Sequence, residues 1–122
     1  MRLKCLLAFF VWCLLGGVVA QAATMRILVV ETSDAGAYAK ALAQGEALLK
    51  SKGSQIEIRV WRARFAGADA GSVVISAEYP SLEALAKDEA MMASDADLRA
   101  WLQSLDKLRK IVSDSIYSEV TP

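Results

Sequence analysis

The chain has 122 residues, with 14 Lys and Arg balancing 14 Asp and Glu, two cysteines and no histidine; a chain of this length has room for one hydrophobic core rather than two. A balanced charge with no basic stripe argues against a nucleic-acid or anionic-membrane partner. The missing histidine excludes a Ser-His-Asp triad, imidazole acid–base catalysis and a histidine zinc site.

Apolar residues make up 55% of the chain, and the excess is concentrated between Cys5 and Ala23. Arg2 and Lys4 give a basic start, Cys5 to Val19 an apolar run, and Ala20-Gln21-Ala22 small residues at the spacing of a signal-peptidase site. The expectation is a signal peptide over 1–22, cleaved after Ala22, and a single periplasmic or secreted domain over 23–122. An uncleaved anchor, which would need ~20 apolar residues, and a cytosolic start at Met25 are the competing readings. Cleavage removes Cys5 and Cys13, so the mature domain has no disulfide and no cysteine metal ligand. It also removes two positive charges, leaving a net charge of −2. No metal or cofactor is expected, and no membrane contact after cleavage.

In chain order, Met25 to Glu31 is rich in β-branched residues and predicts a buried strand. Asp34 offers an N-cap. Tyr38, Ala41, Leu42, Gly45, Leu48 and Leu49 then recur at helical spacing, and Gly53 supplies the terminating left-handed residue, which predicts a helix over 35–51. Gln55 to Phe65 alternates, placing Ile56, Ile58 and Val60 on one side and Arg59, Trp61 and Phe65 on the other. A glycine-flanked turn, Gly67-Ala68-Asp69-Ala70-Gly71, leads into a third strand over Ser72 to Tyr79, so the pair reads as a hairpin. That turn lacks the lysine and following helix of a phosphate loop. Ser81 caps a second helix that breaks at Ala93-Ser94, and Ser94 with Asp97 approximates a capping box for its continuation. Leu98, Trp101, Leu102, Leu105 and Leu108 trace that continuation's apolar stripe, which Lys107, Arg109 and Lys110 close. Ile111 to Val120 is the last strand. Asp95, Asp97 and Asp106 lack the glycine and spacing of a calcium loop and read as caps and surface charges.

This order is βαββαβ: an α+β, ferredoxin-like domain, a four-stranded antiparallel sheet with its helices on one face. The stretch Glu78-Tyr79-Pro80-Ser81-Leu82-Glu83-Ala84-Leu85, leading to Ser94-Asp95-Ala96-Asp97-Leu98-Arg99-Ala100-Trp101, resembles the dimeric α/β-barrel superfamily, in particular small proteins like the antibiotic-biosynthesis monooxygenases. The resemblance spans the mature chain in element order. It implies a homodimer whose open sheets face each other and enclose a barrel. The haem-binding branches of that group offer a histidine to iron, and this chain has none to carry over.

On the open face, strand alternation brings Arg59 and Trp61 beside Ser76 and Glu78, provided Val73, Ile75 and Ala77 face the helices. Arg59, Trp61 and Glu78 are therefore the candidate ligand-binding residues: an aromatic wall with one cation and one carboxylate for a small, partly apolar molecule. The same residues also read, more simply, as a cross-strand ion pair with Trp61 as packing inside a dimer interface. Tyr38 and Trp101 read as core. Dimerisation is expected because Leu28, Val30, Trp61, Phe65 and Val74 would otherwise lie exposed. Three functions stay open: an exported dimer that binds a small ligand, a cofactor-independent monooxygenase acting on an aromatic substrate, and a structural or assembly subunit.

Overall fold

The computed structural model describes residues 22–121, so the expected signal peptide lies almost entirely outside the described residues. Four strands, β1 (Thr24–Glu31), β2 (Glu57–Arg62), β3 (Val73–Tyr79) and β4 (Lys110–Ser118), form one sheet in the order β2-β3-β1-β4. Every neighbouring pair is antiparallel. The crossovers are α1 (Ala35–Ser51) between β1 and β2, and α2 (Leu82–Ser94) with α3 (Ala96–Asp106) between β3 and β4. This is the ferredoxin-like α+β topology expected from the sequence. No helix of the described residues is long and apolar enough to cross a membrane.

Local chemistry sets the element ends. Asp34 Oδ1 accepts from Ala37 N (2.9 Å) and starts α1. Gly53, at φ +92°, ends it in the left-handed region while the amides of Lys52, Gly53 and Ser54 return to the last carbonyls. Ser81 Oγ accepts from Ala84 N (3.1 Å) at the start of α2. The cap of α3 differs from the expected Ser94–Asp97 box: Asp95 Oδ1 accepts from both Asp97 N and Leu98 N at 3.0 Å. A carboxylate reaches two free amides and meets the positive end of the helix, whereas Ser94 stays in α2 and its hydroxyl donates back to Ala90 O.

The register sorts the sheet into two faces. Met25, Ile27 and Val29 of β1 share rungs with Glu78, Ser76 and Val74 of β3, and the last three with Glu57, Arg59 and Trp61 of β2. That is the open face. Leu28 and Val30, expected there, pair instead with Ile75 and Val73 and point to the helices, where Val30 is fully buried. The reason is periodicity: Val29, Val74 and Trp61 occupy one rung, so the residues flanking Val29 must face the other way. Phe65 lies past the end of β2 and is fully exposed, because Ala63 already begins the turn by exchanging hydrogen bonds with Ser72 and Gly71. In β4 an extra residue, Val112, sits where the pairing slips between Val29 and Val30. That strand ends at Ser118 rather than Val120, with Glu119 N making a last bond to Ala23 O.

The helix side holds two apolar clusters, one around Val30, Tyr38, Leu42, Val73, Ile75 and Leu105, the other around Leu49, Ile56, Ala77, Tyr79, Leu85 and Leu98. Trp101 packs against both. Its indole lies on α1 at Gly45, where a side-chain carbon would fall 1.8 Å from the ring. On the outer edge of β2, Glu46 of α1 accepts the amide of Ile58 (2.6 Å).

Candidate functional site

Between the helices and the sheet lies a cavity of about 350 Å³. Its sheet wall is Leu28, Ile58, Ile75 and Ala77; α1 contributes Leu42 and Leu49, α2 Met92 and Ala93, and α3 Trp101, Leu102 and Leu105. Each apolar wall follows from the helical or two-residue period of its element. Trp101 is a wall only, since its N–H donates to Ala41 O (2.9 Å).

Two arginines interrupt this lining. Arg26 of β1 is placed on the helix side by the same alternation that buries Leu28 and Val30. Its guanidinium donates to Asp114 of β4 through Nε (2.9 Å) and Nη2 (2.6 Å), and through Nη1 to Glu89 of α2. The bidentate bond to Arg26 holds the Asp114 carboxyl below the ordinary range. Arg26 is held charged by both acids, and its Nε–Nη2 edge is filled by Asp114.

Arg109 stands in the short turn between α3 and β4, and its side chain reaches back to the cavity lining. Its side chain is only 7% exposed. Nη1 donates to Tyr38 Oη (2.6 Å), and the guanidinium carbon stands 5.6 Å from the Tyr38 ring centroid. Nη2 comes no closer than 3.8 Å to Asp106 Oδ1, a carboxylate that is itself 70% exposed. Nε is buried and has no hydrogen-bond partner among the described residues. Burial pushes the Tyr38 hydroxyl above its usual pKa, opposed by Arg109, so it is a neutral phenol at physiological pH.

The residues singled out from the sequence lie across the sheet from this cavity, and none of the three lines it. Arg59, Trp61 and Glu78 do share the open face: Arg59 Nη2 is 3.8 Å from Glu78 Oε2, and Trp61 Nε1 donates to Ser76 Oγ (2.8 Å). Ser76 and Val29 are buried on that face, so a single chain already covers part of it, while Trp61 stays half exposed. Sequence reading missed Arg26 and Arg109. A signal was present for Arg26, a charge in the helix-facing alternation of β1; Arg109, in the turn after α3, had none. The described residues hold no group of three or more carboxylate, cysteine or histidine side chains able to bind a metal ion.

No protein-family model matches this sequence, and no curated protein matches it. In structure, the chain is similar to SnoaB, a cofactor-independent oxygenase from Streptomyces nogalater, with a TM-score of 0.61 and 12% sequence identity over 83% of this chain and 96% of that one. A variant of SnoaB with one asparagine replaced by alanine aligns with a TM-score of 0.62 and 14% identity, over 84% and 97% of the two chains. At this identity the likeness is one of fold: a ferredoxin-like α+β domain of the kind found in cofactor-independent oxygenases.

Proposed function

We propose that this protein binds a small, mostly apolar molecule in the cavity between its sheet and its helices. The observation that carries the reading is the cavity itself: about 350 Å³, within the size range of small-molecule sites, walled by aliphatic and aromatic groups and carrying a few polar ones. This moves the ligand from the open face, where Arg59, Trp61 and Glu78 stand, to the opposite side of the sheet. The open face is then left to a second copy of the chain. Trp61 and Tyr117 on that face, with Val112 at the slip in β4, are large apolar groups left exposed. Export fits the same reading, because cleavage after Ala22 would spare the bond from Glu119 N to Ala23 O that opens the sheet.

The test uses the neutral fluorophore N-phenyl-1-naphthylamine. Saturable binding is expected, lost on Ala93→Trp, which fills the cavity from an exposed position on α2, and kept on Trp61→Ala. If Trp61→Ala abolishes binding while Ala93→Trp leaves it intact, the ligand sits on the open face and the proposal fails.

A second reading, cofactor-independent oxygenation of an aromatic substrate, is favoured by the shared fold with SnoaB. In it, Trp101 walls the substrate, and Arg109, held in place by Tyr38, stabilises negative charge developing on it. The chain contains no asparagine and no histidine, so proton transfer would have to use other groups. Dioxygen uptake dependent on a bound phenolic substrate, reduced at least tenfold by Arg109→Met, is the result this reading requires.

A further inference from the structure

We infer that the cavity ligand is a monoanion, an otherwise apolar molecule whose carboxylate is received by Arg109. The inference rests on the cavity being the binding site and adds the charge of what enters it. A guanidinium has a side-on edge on which Nε–H and Nη2–H point the same way, and that edge matches the two oxygens of a carboxylate. In Arg109 the other terminal nitrogen, Nη1, is committed to Tyr38 Oη. The side-on edge is not committed: Nε has no partner among the described residues, and Nη2 reaches only to 3.8 Å from an exposed Asp106.

Burying a cation in this state is costly unless something completes its hydrogen bonds. Arg26, the other cation of the cavity, shows the contrast. It has its own bidentate carboxylate in Asp114 and a second acid in Glu89, so its side-on edge is already filled and an incoming anion would meet two negative charges. Arg109 is therefore where an anion binds, and Tyr38, whose hydroxyl accepts from Nη1, fixes the plane of the guanidinium. A carboxylate fits better than a phenolate, because one oxygen would leave half of the edge unfilled. The apolar body of the ligand extends along Leu105, Trp101 and Ile75.

The experiment compares 2-naphthoate with 2-naphthamide, matched in shape and differing in charge, by titration calorimetry on the purified protein at pH 7. Naphthoate is expected to bind at least about tenfold more tightly, the range of a charge-assisted over a neutral hydrogen bond. Arg109→Met should remove the preference, leaving acid and amide with affinities within about twofold of each other. Equal binding of acid and amide by the unaltered protein overturns the anion inference while the cavity reading stands. Binding of neither overturns the cavity reading itself. A preference for the acid that survives Arg109→Met places the anion elsewhere and also overturns the inference. The comparison on the unaltered protein decides the matter even if the variant does not fold.

Discussion

Replacing Gly45 by alanine tests the packing that shapes the cavity. Gly45 lies within α1, where alanine would ordinarily stabilise the helix by up to about 1 kcal/mol. Here the added carbon would fall 1.8 Å from Trp101 Cε2 and 1.9 Å from Cζ2, far inside contact distance, so the indole must move. Displacing a packed ring costs about 1–3 kcal/mol. Moving it also breaks the bond from Trp101 Nε1 to Ala41 O, worth about 0.5–1.5 kcal/mol. Set against the gain in helix propensity, a net destabilisation of about 2 kcal/mol is expected. Urea unfolding followed by far-UV circular dichroism would register it as a lower midpoint at unchanged slope. Gly36→Ala in the same helix is the control, since its added carbon meets only Asp34 Oδ1, at an ordinary 3.5 Å; it should be neutral or stabilising. If Gly45→Ala stabilises as much as Gly36→Ala, the indole does not rest on that glycine and the cavity wall has been misplaced.

Further outcomes are expected from the sequence and the structure together. Light scattering after size exclusion at micromolar concentration should give twice the mass of one chain, and a stable monomer would refute the dimer. Intact mass of protein recovered from the periplasm or the medium should place the N-terminus at Ala23; full-length chain found only in membranes would refute cleavage. The native Asp114 carboxyl is held below its unfolded value of about 3.9, so its contribution to stability is present above that pH and lost as pH falls through the native value. Asp114→Asn should therefore cost up to about 1 kcal/mol at pH 7 and flatten the acid limb of the stability curve. An unchanged acid limb would detach Asp114 from Arg26.

Much of the architecture could be read from the chain because its stop signals are chemically explicit. Asp34 and Gly53 bound α1 as expected, and Ser81 opens α2. Alternation in β2 and β3 correctly brought Arg59, Trp61, Ser76 and Glu78 onto one face. The orientation of β1 was not legible, because Ile27 to Val30 are apolar on both faces and only pairing with β3 decides which side Leu28 and Val30 take. The cavity was hidden for a similar reason. It is a space left where three helices and a sheet meet, and no residue pattern records a volume that is not filled. Arg109 looked like a helix-closing charge because its sequence neighbours Lys107 and Lys110 are solvent-facing. Its burial follows from the turn between α3 and β4 that carries it and from Tyr38 of α1, which accepts a hydrogen bond from its Nη1.

The bond from Ile58 N to Glu46 bears on how copies of this chain can join edge to edge. A sheet of this kind has two rims, and open-ended fibre growth by strand addition needs both of them free, one to offer and one to receive. Along β2 an outward-pointing amide is already taken by the Glu46 carboxylate, and Lys50 bridges Glu46 to Glu57 beside it. Strand addition there would have to displace a charged group from its partner. Among the described residues no helix-borne carboxylate takes a backbone amide of the opposite rim, β4, which carries exposed Ile111, Val112 and Ile116. Two copies meeting through β4 would each consume the one receptive rim they possess, so assembly by this route terminates at two instead of propagating.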